Sequence, residues 1–425
     1  MNWDQAEREL LALVRESRRR LLDQHAERSR AELQAAILAM IHEETELWQR
    51  RAAAGQCALL LDPAATEEKL ADELLGYGVL ASLMRKPSVS TVIVNAPTRI
   101  FTVSDGIMRR ERFVRFESDE PIRELVKRHA AAAGRRFDEG SPRVDLSLPD
   151  GSRLHALMPP LTTQYTQLTI RKFTLFDKRL SAAVELGTMP ASLARFISAA
   201  VRAHLNIIFS GNSGVGKTTL MRMALLEIDD PSERVIAIES TRELGLEKLL
   251  PHAVDWQSRP KNTDGLGEIT QAALMDDALR CEPSRIVIGE SLGDEAYLLL
   301  EAMSAGHAGC VSSIHARSAR EALTRLMIAA MKAPHHPPER LVQWMIAANI
   351  DLIVHLEKRG EARIVSEVIE VDNHLEGDHI PTRALWQLKD GRLMRVSGAR
   401  PRVLDDIRKA GAAYSWDDDE EEAAA

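Results

Sequence analysis

Gly211, Gly216, Lys217 and Thr218 stand at the fixed positions of G-x-x-x-x-G-K-[ST]. The whole stretch runs Gly211-Asn212-Ser213-Gly214-Val215-Gly216-Lys217-Thr218-Thr219, after an apolar run from Leu205 to Phe209 and before a helical pattern carried by Leu220, Met223 and Leu226. Strand, glycine loop, helix is the setting in which such a motif grips phosphate. Glycines let successive backbone N–H groups turn toward one point, and the next helix aims its positive N-terminal end at the same point. In that arrangement Lys217 reaches the β- and γ-phosphates and Thr218 ligates Mg²⁺. The chain is therefore expected to bind a nucleoside triphosphate.

Other polar residues fall at the ends of apolar runs that read as strands. Glu239 and Glu243 follow Val235 to Ile238, and Glu290 follows Ile286 to Gly289. A carboxylate beside a γ-phosphate can orient and partly deprotonate an attacking water. His307 and His315 flank the run Val311 to Ile314; either could sense a γ-phosphate, or be an ordinary core or surface histidine. His335-His336 lies among prolines and lacks a metal-ligand spacing.

The elements around these residues set the fold class. From Leu205 to about Ile350, strands alternate with helical stretches, the mark of a mostly parallel sheet with ligands at the strands' carboxyl ends. Past Ile350, runs at 352–356, 364–369 and 384–388 read as a terminal antiparallel patch. Upstream, residues up to about Ala54 have helical spacing, as a docking bundle or as a solvated helix pair packed on the next domain. Asp62-Pro63 breaks that pattern, and a helix is expected from Thr66, with Thr66 as its cap. Strands are expected at 89–94, 100–103, 113–116, 144–148, 154–158 and 167–170, with a helix at 122–133. Asp177 to Leu180 reads as a linker, and Val184 to His204 as mostly helix. Ser318-Ala319-Arg320-Glu321 has the pattern of a capping box. The boundaries expected are a helical segment 1–60, a small α+β domain 61–176, a linker and helix 177–204, an α/β nucleotide domain 205–395 and an extension 396–425 ending in an acidic tail.

Composition narrows the partners. The chain has 425 residues, 45% hydrophobic and 28% charged, with a net charge of −8. The run from Asp417 to Glu422 supplies six of the negative charges, so the rest is nearly neutral. Aromatic residues make up 4%. Neither feature suits a nucleic-acid groove. Cys57, Cys281 and Cys310 are too far apart for a metal cluster and suit free thiols in a reducing compartment. No stretch reads as a signal segment or has the length of a membrane span. The expected location is the cytoplasm, with any membrane contact peripheral or through a partner. The acidic run is expected to be a solvated tail.

In combination these stretches resemble the type II/type IV secretion traffic ATPases, in particular the Flp/Tad pilus-assembly branch (CpaF/TadA-like). The resemblance is carried by Leu74-Leu75-Gly76-Tyr77-Gly78, Ile93-Val94-Asn95-Ala96-Pro97, Gly134 to Glu139, Pro149-Asp150-Gly151-Ser152-Arg153, Met158-Pro159-Pro160-Leu161 and Ile170-Arg171-Lys172-Phe173. It continues through the phosphate loop, Ile238 to Leu244, Arg285 to Glu290, Gly306 to Ala316 and Asp351 to Leu356. It spans about Leu74 to Arg402. It implies a RecA-like P-loop motor domain preceded by a small α+β domain, assembled as a homo-hexamer and using ATP and Mg²⁺. The activity implied is ATP hydrolysis that powers pilus assembly or secretion, on a platform protein of the inner membrane.

Carried over residue by residue, Lys217 and Thr218 hold phosphate and Mg²⁺, Glu239 and Glu243 form the acidic box, and Glu239 is expected near the metal. Glu290 is the Walker B glutamate, and His307 and His315 form the histidine box. Arg153 and Arg171 match arginines of the N-terminal domain that reach the γ-phosphate. Departures accompany the matches. Ser240 and Ala308 replace aspartates, Leu292 replaces an arginine, Thr91 replaces an acid, and Ser312-Ser313 replaces paired threonines. The losses at Ser240 and Leu292 open a second reading, a catalytically weak nucleotide-binding assembly or regulatory subunit. A nucleic-acid motor of the same class is opposed by charge and composition.

Overall fold

Side chains in the central strands of the larger unit alternate strictly between two cores, and this alternation positions everything at the site. In this computed structural model the described residues are 3–24, 30–104, 106–148, 150–173, 177–261, 265–360, 362–398, 400–412 and 414–416. They form two units, Met1–Thr174 and Leu175–Ala425. Among them no helix is long and apolar enough to cross a membrane.

The first unit opens with α1 (Gln5–Gln24), α2 (Arg30–Ala53) and α3 (Pro63–Leu74). Trp3, Leu10, Val14, Ile37, Ile41 and Leu70 make their shared core. The start of α3 differs from expectation. Asp62 is the cap, accepting from Ala65 N at 3.0 Å, and Pro63 opens the helix. Proline suits that position, whose N–H has no helical partner. Thr66 is instead buried inside the helix.

After α4 (Ala81–Met84) come β1 (Val89–Ala96), β2 (Arg99–Ser104), β3 (Ile107–Glu111), α5 (Glu120–Ala132), β4 (Arg143–Ser147), β5 (Arg153–Leu157) and β6 (Gln167–Arg171). They build a six-stranded sheet in the order β3-β2-β1-β6-β5-β4, antiparallel throughout. The third strand is at Ile107–Glu111, not at 113–116. The chain returns at once from β2, Ser104 pairing with Ile107. Phe113 is 96% exposed, while Phe116 drops into the core and its N–H bonds Pro97 O at 2.9 Å.

The second unit contains α6 (Leu180–Glu185), α7 (Ala191–Arg202), β7 (Ile207–Gly211), α8 (Lys217–Leu225), β8 (Val235–Glu239), β9 (Ala253–Gln257), α9 (Gln271–Leu279), β10 (Arg285–Ile288), α10 (Glu295–Ser304), β11 (Val311–Ile314), α11 (Ala319–Ala330), α12 (Glu339–Asn349), β12 (Leu352–Arg359), β13 (Ala362–Val371), β14 (Thr382–Lys389), β15 (Arg392–Arg395) and α13 (Leu404–Lys409). Its nine-stranded sheet runs β15-β14-β13-β12-β7-β11-β10-β8-β9. The six strands from β12 to β9 are parallel, and β13 to β15 add an antiparallel edge.

Ile207, Phe209, Val235, Val287 and Val354 face one core, shared with Leu193 and Phe196 of α7. Ile208, Ile236, Ile286, Ile288 and Ile353 face the other, under α9 to α12. Helices on both faces explain why these strands read as unbroken apolar runs. The segment that reads as a linker and helix thus contributes α6 and α7 to the same core as β7. The chain also returns at 414–416, where Trp416 packs edge-on against Phe196 and Trp386, beneath Arg395. The acidic run beyond it lies outside the described residues.

Asn206 joins three strands at their amino-terminal ends. Its Oδ1 accepts from Cys310 N at 2.9 Å, its Nδ2 donates to Asn349 O at 2.7 Å, and its own N–H donates to Asp351 Oδ2 at 2.9 Å. β7, β11 and β12 are thereby tied just where each begins.

Candidate functional site

β7 ends at the glycine loop, between β11 on one side and β12 on the other. Gly211 has φ +148°, and a Cβ there would lie 2.5 Å from Leu356 O. Gly214 and Gly216 have φ +76° and +97°. These left-handed turns aim the loop backbone inward, and Gly216 precedes the first turn of α8. Asn212, Ser213 and Gly214 are exposed, Val215 anchors the loop in the core, and Thr218 and Thr219 are half-buried.

Lys217 is only 7% exposed, and burial pulls its pKa down against the upward pull of Glu290 and Glu243. Its Nζ lies 3.1 Å from Gly211 O and from Asn212 O, so it closes over the loop it belongs to. It also lies 3.1 Å from His315 Nδ1, and His315 Nε2 lies 2.6 Å from Glu290 Oε1. The ammonium can only donate, so the ring accepts at Nδ1 and carries its proton on Nε2, toward Glu290. Lysine, histidine and glutamate, from α8 and the segments after β11 and β10, thus form one run of polar contacts, in which Lys217–His315 is a hydrogen bond and His315–Glu290 a close approach. A glycine nest, a half-buried helix start and an inward ammonium fit a polyphosphate.

The two expected histidines part company. His315 follows the carboxyl end of β11, beside Lys217. His307 precedes the same strand, in the turn after α10, where its N–H bonds Ala302 O at 3.1 Å. A four-residue strand separates the two by about 13 Å, so within one chain His307 stands at the sheet's other end. Nearby, Arg285 is fully buried and paired with Glu233, which also lies 3.2 Å from His204 Nε2.

Glu239 is 3% exposed, and both its oxygens lie 3.1–3.2 Å from the N–H groups of Glu243 and Leu244. Burial pushes its pKa up to about 8, although those two bonds pull it down. Its carboxyl is therefore occupied with shaping the loop that carries Glu243, and Glu243 exerts a field on Lys217. Gly289 leaves the space for this, since a Cβ there would come within 2.8 Å of Glu239 Cγ. Arg222, one turn beyond Thr218, is buried and feels Glu239, Glu243 and Asp255.

Ser240 is exposed, with its carbonyl accepting from Gln257 Nε2. Leu292 is 51% exposed, and Glu295 Oε1 receives the N–H groups of Leu292 and Gly293. Ser313 Oγ donates to Gly289 O at 2.7 Å and Ser312 Oγ meets Ser291 Oγ at 2.7 Å, so the hydroxyls at the histidine box stitch β11 to the turn after β10.

In the first unit, Arg153 and Arg171 face each other in register on β5 and β6. Arg153 lies 3.7 Å from Asp145, and Thr91 pairs with Arg171 across β1. His335 stacks edge-on against Tyr297 at 4.4 Å, and no group of metal-ligating side chains is present among the described residues. The three cysteines are unpaired.

Two residues near the loop escaped the sequence reading. Arg363 of β13 brings its Cδ to 3.5 Å from where a Gly216 Cβ would lie. His355 of β12 is 2% exposed and lies 2.9 Å from Ser210 Oγ. Only the pairing of β12 with β7 and β13 reveals either.

The sequence profile of the type II/IV secretion system protein family matches residues 73–376. The chain belongs to this family. A Mycobacterium tuberculosis protein named for conjugal transfer is 33% identical over 328 residues, 76% of this chain and 91% of the relative. The type IV secretion system protein PtlH homolog of Bordetella bronchiseptica is 30% identical over 312 residues, 68% and 91% of the two chains. The X-ray structure of the Legionella pneumophila ATPase DotB aligns with a TM-score of 0.51 at 19% identity, over 70% of this chain and 81% of that one. That likeness concerns the fold, a RecA-like P-loop domain after a small α+β one. The chain is thus a homologue of type II/IV secretion system proteins.

Proposed function

We propose that this protein hydrolyses ATP to drive pilus assembly or protein secretion, working as a homo-hexamer on a platform protein of the inner membrane. The observation that carries the reading is the run of polar contacts Lys217–His315–Glu290 beside the glycine loop. Membership in the secretion family supports the process; the order of motifs from Leu74 to Arg402 supports the Flp/Tad branch.

The loop N–H groups and Lys217 bind the β- and γ-phosphates. Mg²⁺, when bound, neutralises charge on the phosphate oxygens, with Thr218 as its protein ligand. Glu239 keeps the acidic loop in shape, and its carboxyl reaches the metal only if the bonds to Glu243 and Leu244 give way. Glu290 orients the attacking water, and His315 holds the carboxylate in place and fixes its own tautomer by doing so. Arg153 and Arg171, which match the family pattern, offer positive charge to the γ-phosphate.

One specific observation favours a second reading, a catalytically weak assembly subunit: Leu292 and Ser240 put an exposed apolar group and a neutral group where the family pattern has charge. The test is steady-state ATP turnover of the wild-type chain beside Lys217→Ala and Glu290→Gln, with mass measured with and without nucleotide. Turnover lost in both variants, from a hexamer, supports the motor. Nucleotide binding without turnover, even from a hexamer, overturns it in favour of the assembly subunit.

A further inference from the structure

His355 is a buried polar group that the proposed chemistry does not use. It sits on β12 directly opposite Ser210, the last residue before the glycine loop, and Leu356 pairs with Gly211 in the next register position. Its Nδ1 lies 2.9 Å from Ser210 Oγ, and its ring also hydrogen-bonds the main chain of Arg317. Arg317 is two residues beyond His315. The imidazole therefore bridges the strand entering the phosphate loop and the segment leaving the histidine that touches Lys217 and Glu290. A second clamp acts on the same segment from α11, where Glu321 accepts from Arg317 N at 2.8 Å and Nε at 2.9 Å.

We infer that His355 is a positioning residue, which holds the His315–Arg317 segment at a fixed distance from the phosphate loop so that His315 spans Lys217 and Glu290. The inference rests on the ATPase reading only for its effect on turnover; the bridge itself is independent of it.

The chemistry favours imidazole at this point. A ring N–H that donates to a main-chain carbonyl leaves the other nitrogen to accept from the Ser210 hydroxyl, so one neutral ring satisfies both neighbours. Burial is the main cause that depresses its pKa, with Lys217 of α8 acting in the same direction, while Glu357 of β12, Glu321 of α11 and the bond to Arg317 oppose it. Glu367 of β13 is its cross-strand partner, and the Glu367 carboxylate accepts from Ala319 N at 3.3 Å. The neutral ring is thus the state that suits a site already holding a buried ammonium. An apolar side chain of similar size would fill the space but leave the Ser210 hydroxyl and the Arg317 carbonyl without their partner.

The test compares wild type, His355→Phe, His355→Gln and Ser210→Ala in the full-length chain. Amide hydrogen–deuterium exchange is read by peptide, with and without a non-hydrolysable ATP analogue, alongside steady-state turnover. In His355→Phe, exchange should rise about tenfold in peptides covering 314–318 and 210–216, while β8 and β10 keep their protection. His355→Gln, which can still donate and accept, should restore most of that protection. Turnover number should fall about tenfold in His355→Phe with KM changed less than about twofold, and a His355→Phe/Ser210→Ala double variant should lose little more than His355→Phe alone. Exchange that stays at the wild-type level in both segments overturns the inference, as does a rise spread evenly over the sheet, or the same loss in His355→Gln as in His355→Phe. A wild-type chain without turnover would sink the ATPase reading and leave the exchange result to judge His355.

Discussion

Glu290 and His315 are 2.6 Å apart, carboxylate oxygen to ring Nε2, although they leave different strands and stand 25 positions apart in the chain. The contact gives the carboxylate a fixed direction and leaves the ring's other nitrogen to meet Lys217. Replacing His315 with Gln keeps a polar group but loses the ring that spans both partners. Turnover should fall on the order of 10²-fold, with nucleotide affinity changed less than about threefold. Rapid-quench turnover beside fluorescent-nucleotide titration reads both, and an unchanged turnover number would remove His315 from the reaction.

Arg363 stands over the phosphate loop on a strand that sequence reasoning assigned to structure alone. Its Cδ lies 3.5 Å from where a Gly216 Cβ would stand, so its side chain has the reach to add positive charge for a triphosphate. Arg363→Ala should weaken ATP binding severalfold and leave thermal unfolding within about 2 °C, as expected for an exposed side chain. Affinity equal to wild type would show that the guanidinium points elsewhere when nucleotide is bound.

Gly211 admits no side chain. Its φ of +148° and the 2.5 Å approach to Leu356 O leave no room for even a methyl group. Gly211→Ala should destabilise the protein by about 2 kcal/mol or more and abolish nucleotide binding, since the shift falls on the loop itself. Urea unfolding at equal concentration measures the first effect. A fully stable variant that still binds nucleotide would contradict the geometry.

Glu239 predicts an unusual dependence on pH. Burial raises its folded pKa to about 8 from 4.5, so the folded protein holds this proton more tightly than the unfolded chain does. The stabilisation is complete below the unfolded value and is lost as pH rises through about 8. Glu239→Gln, which resembles the protonated form, should therefore gain on wild type between pH 6 and pH 9, by an amount on the order of a few kcal/mol. Unfolding midpoints of the pair at three pH values check this. Parallel curves would mean that the carboxyl is already ionised and well paired.

The phosphate loop was legible because it is local: four residues and two flanking patterns specify it. The parallel strands were legible because burial on both faces leaves long apolar runs. The third strand of the small sheet was misplaced because Ile107 and Met108 are exposed edge residues, while Phe113 and Phe116 look like a strand and only Phe116 is buried. β9 was missed because Asp255 and Gln257 interrupt a short, half-buried run. Glu239 was placed near the metal through the acidic box of the resemblance; that its oxygens accept from Glu243 and Leu244 is not legible locally. His307 and His315 look alike in sequence, and only the direction of β11 tells which end each occupies. His355 was out of reach, since its partner Ser210 is 145 positions away.

The tie at Asn206 has a consequence for how the site tolerates change. Strands behave as stiff rods, so fixing three of them at their starting points fixes where their far ends stop. Ser210, Ile314 and His355 are level with one another because β7, β11 and β12 begin level. Slipping β12 by one residue would turn His355 into the opposite core and bring an aliphatic side chain against Ser210. A substitution at Asn206, remote from any phosphate, would thus act as an alignment error. Its signature would be a protein that folds and melts as one body while its phosphate loop, lysine and histidines no longer meet.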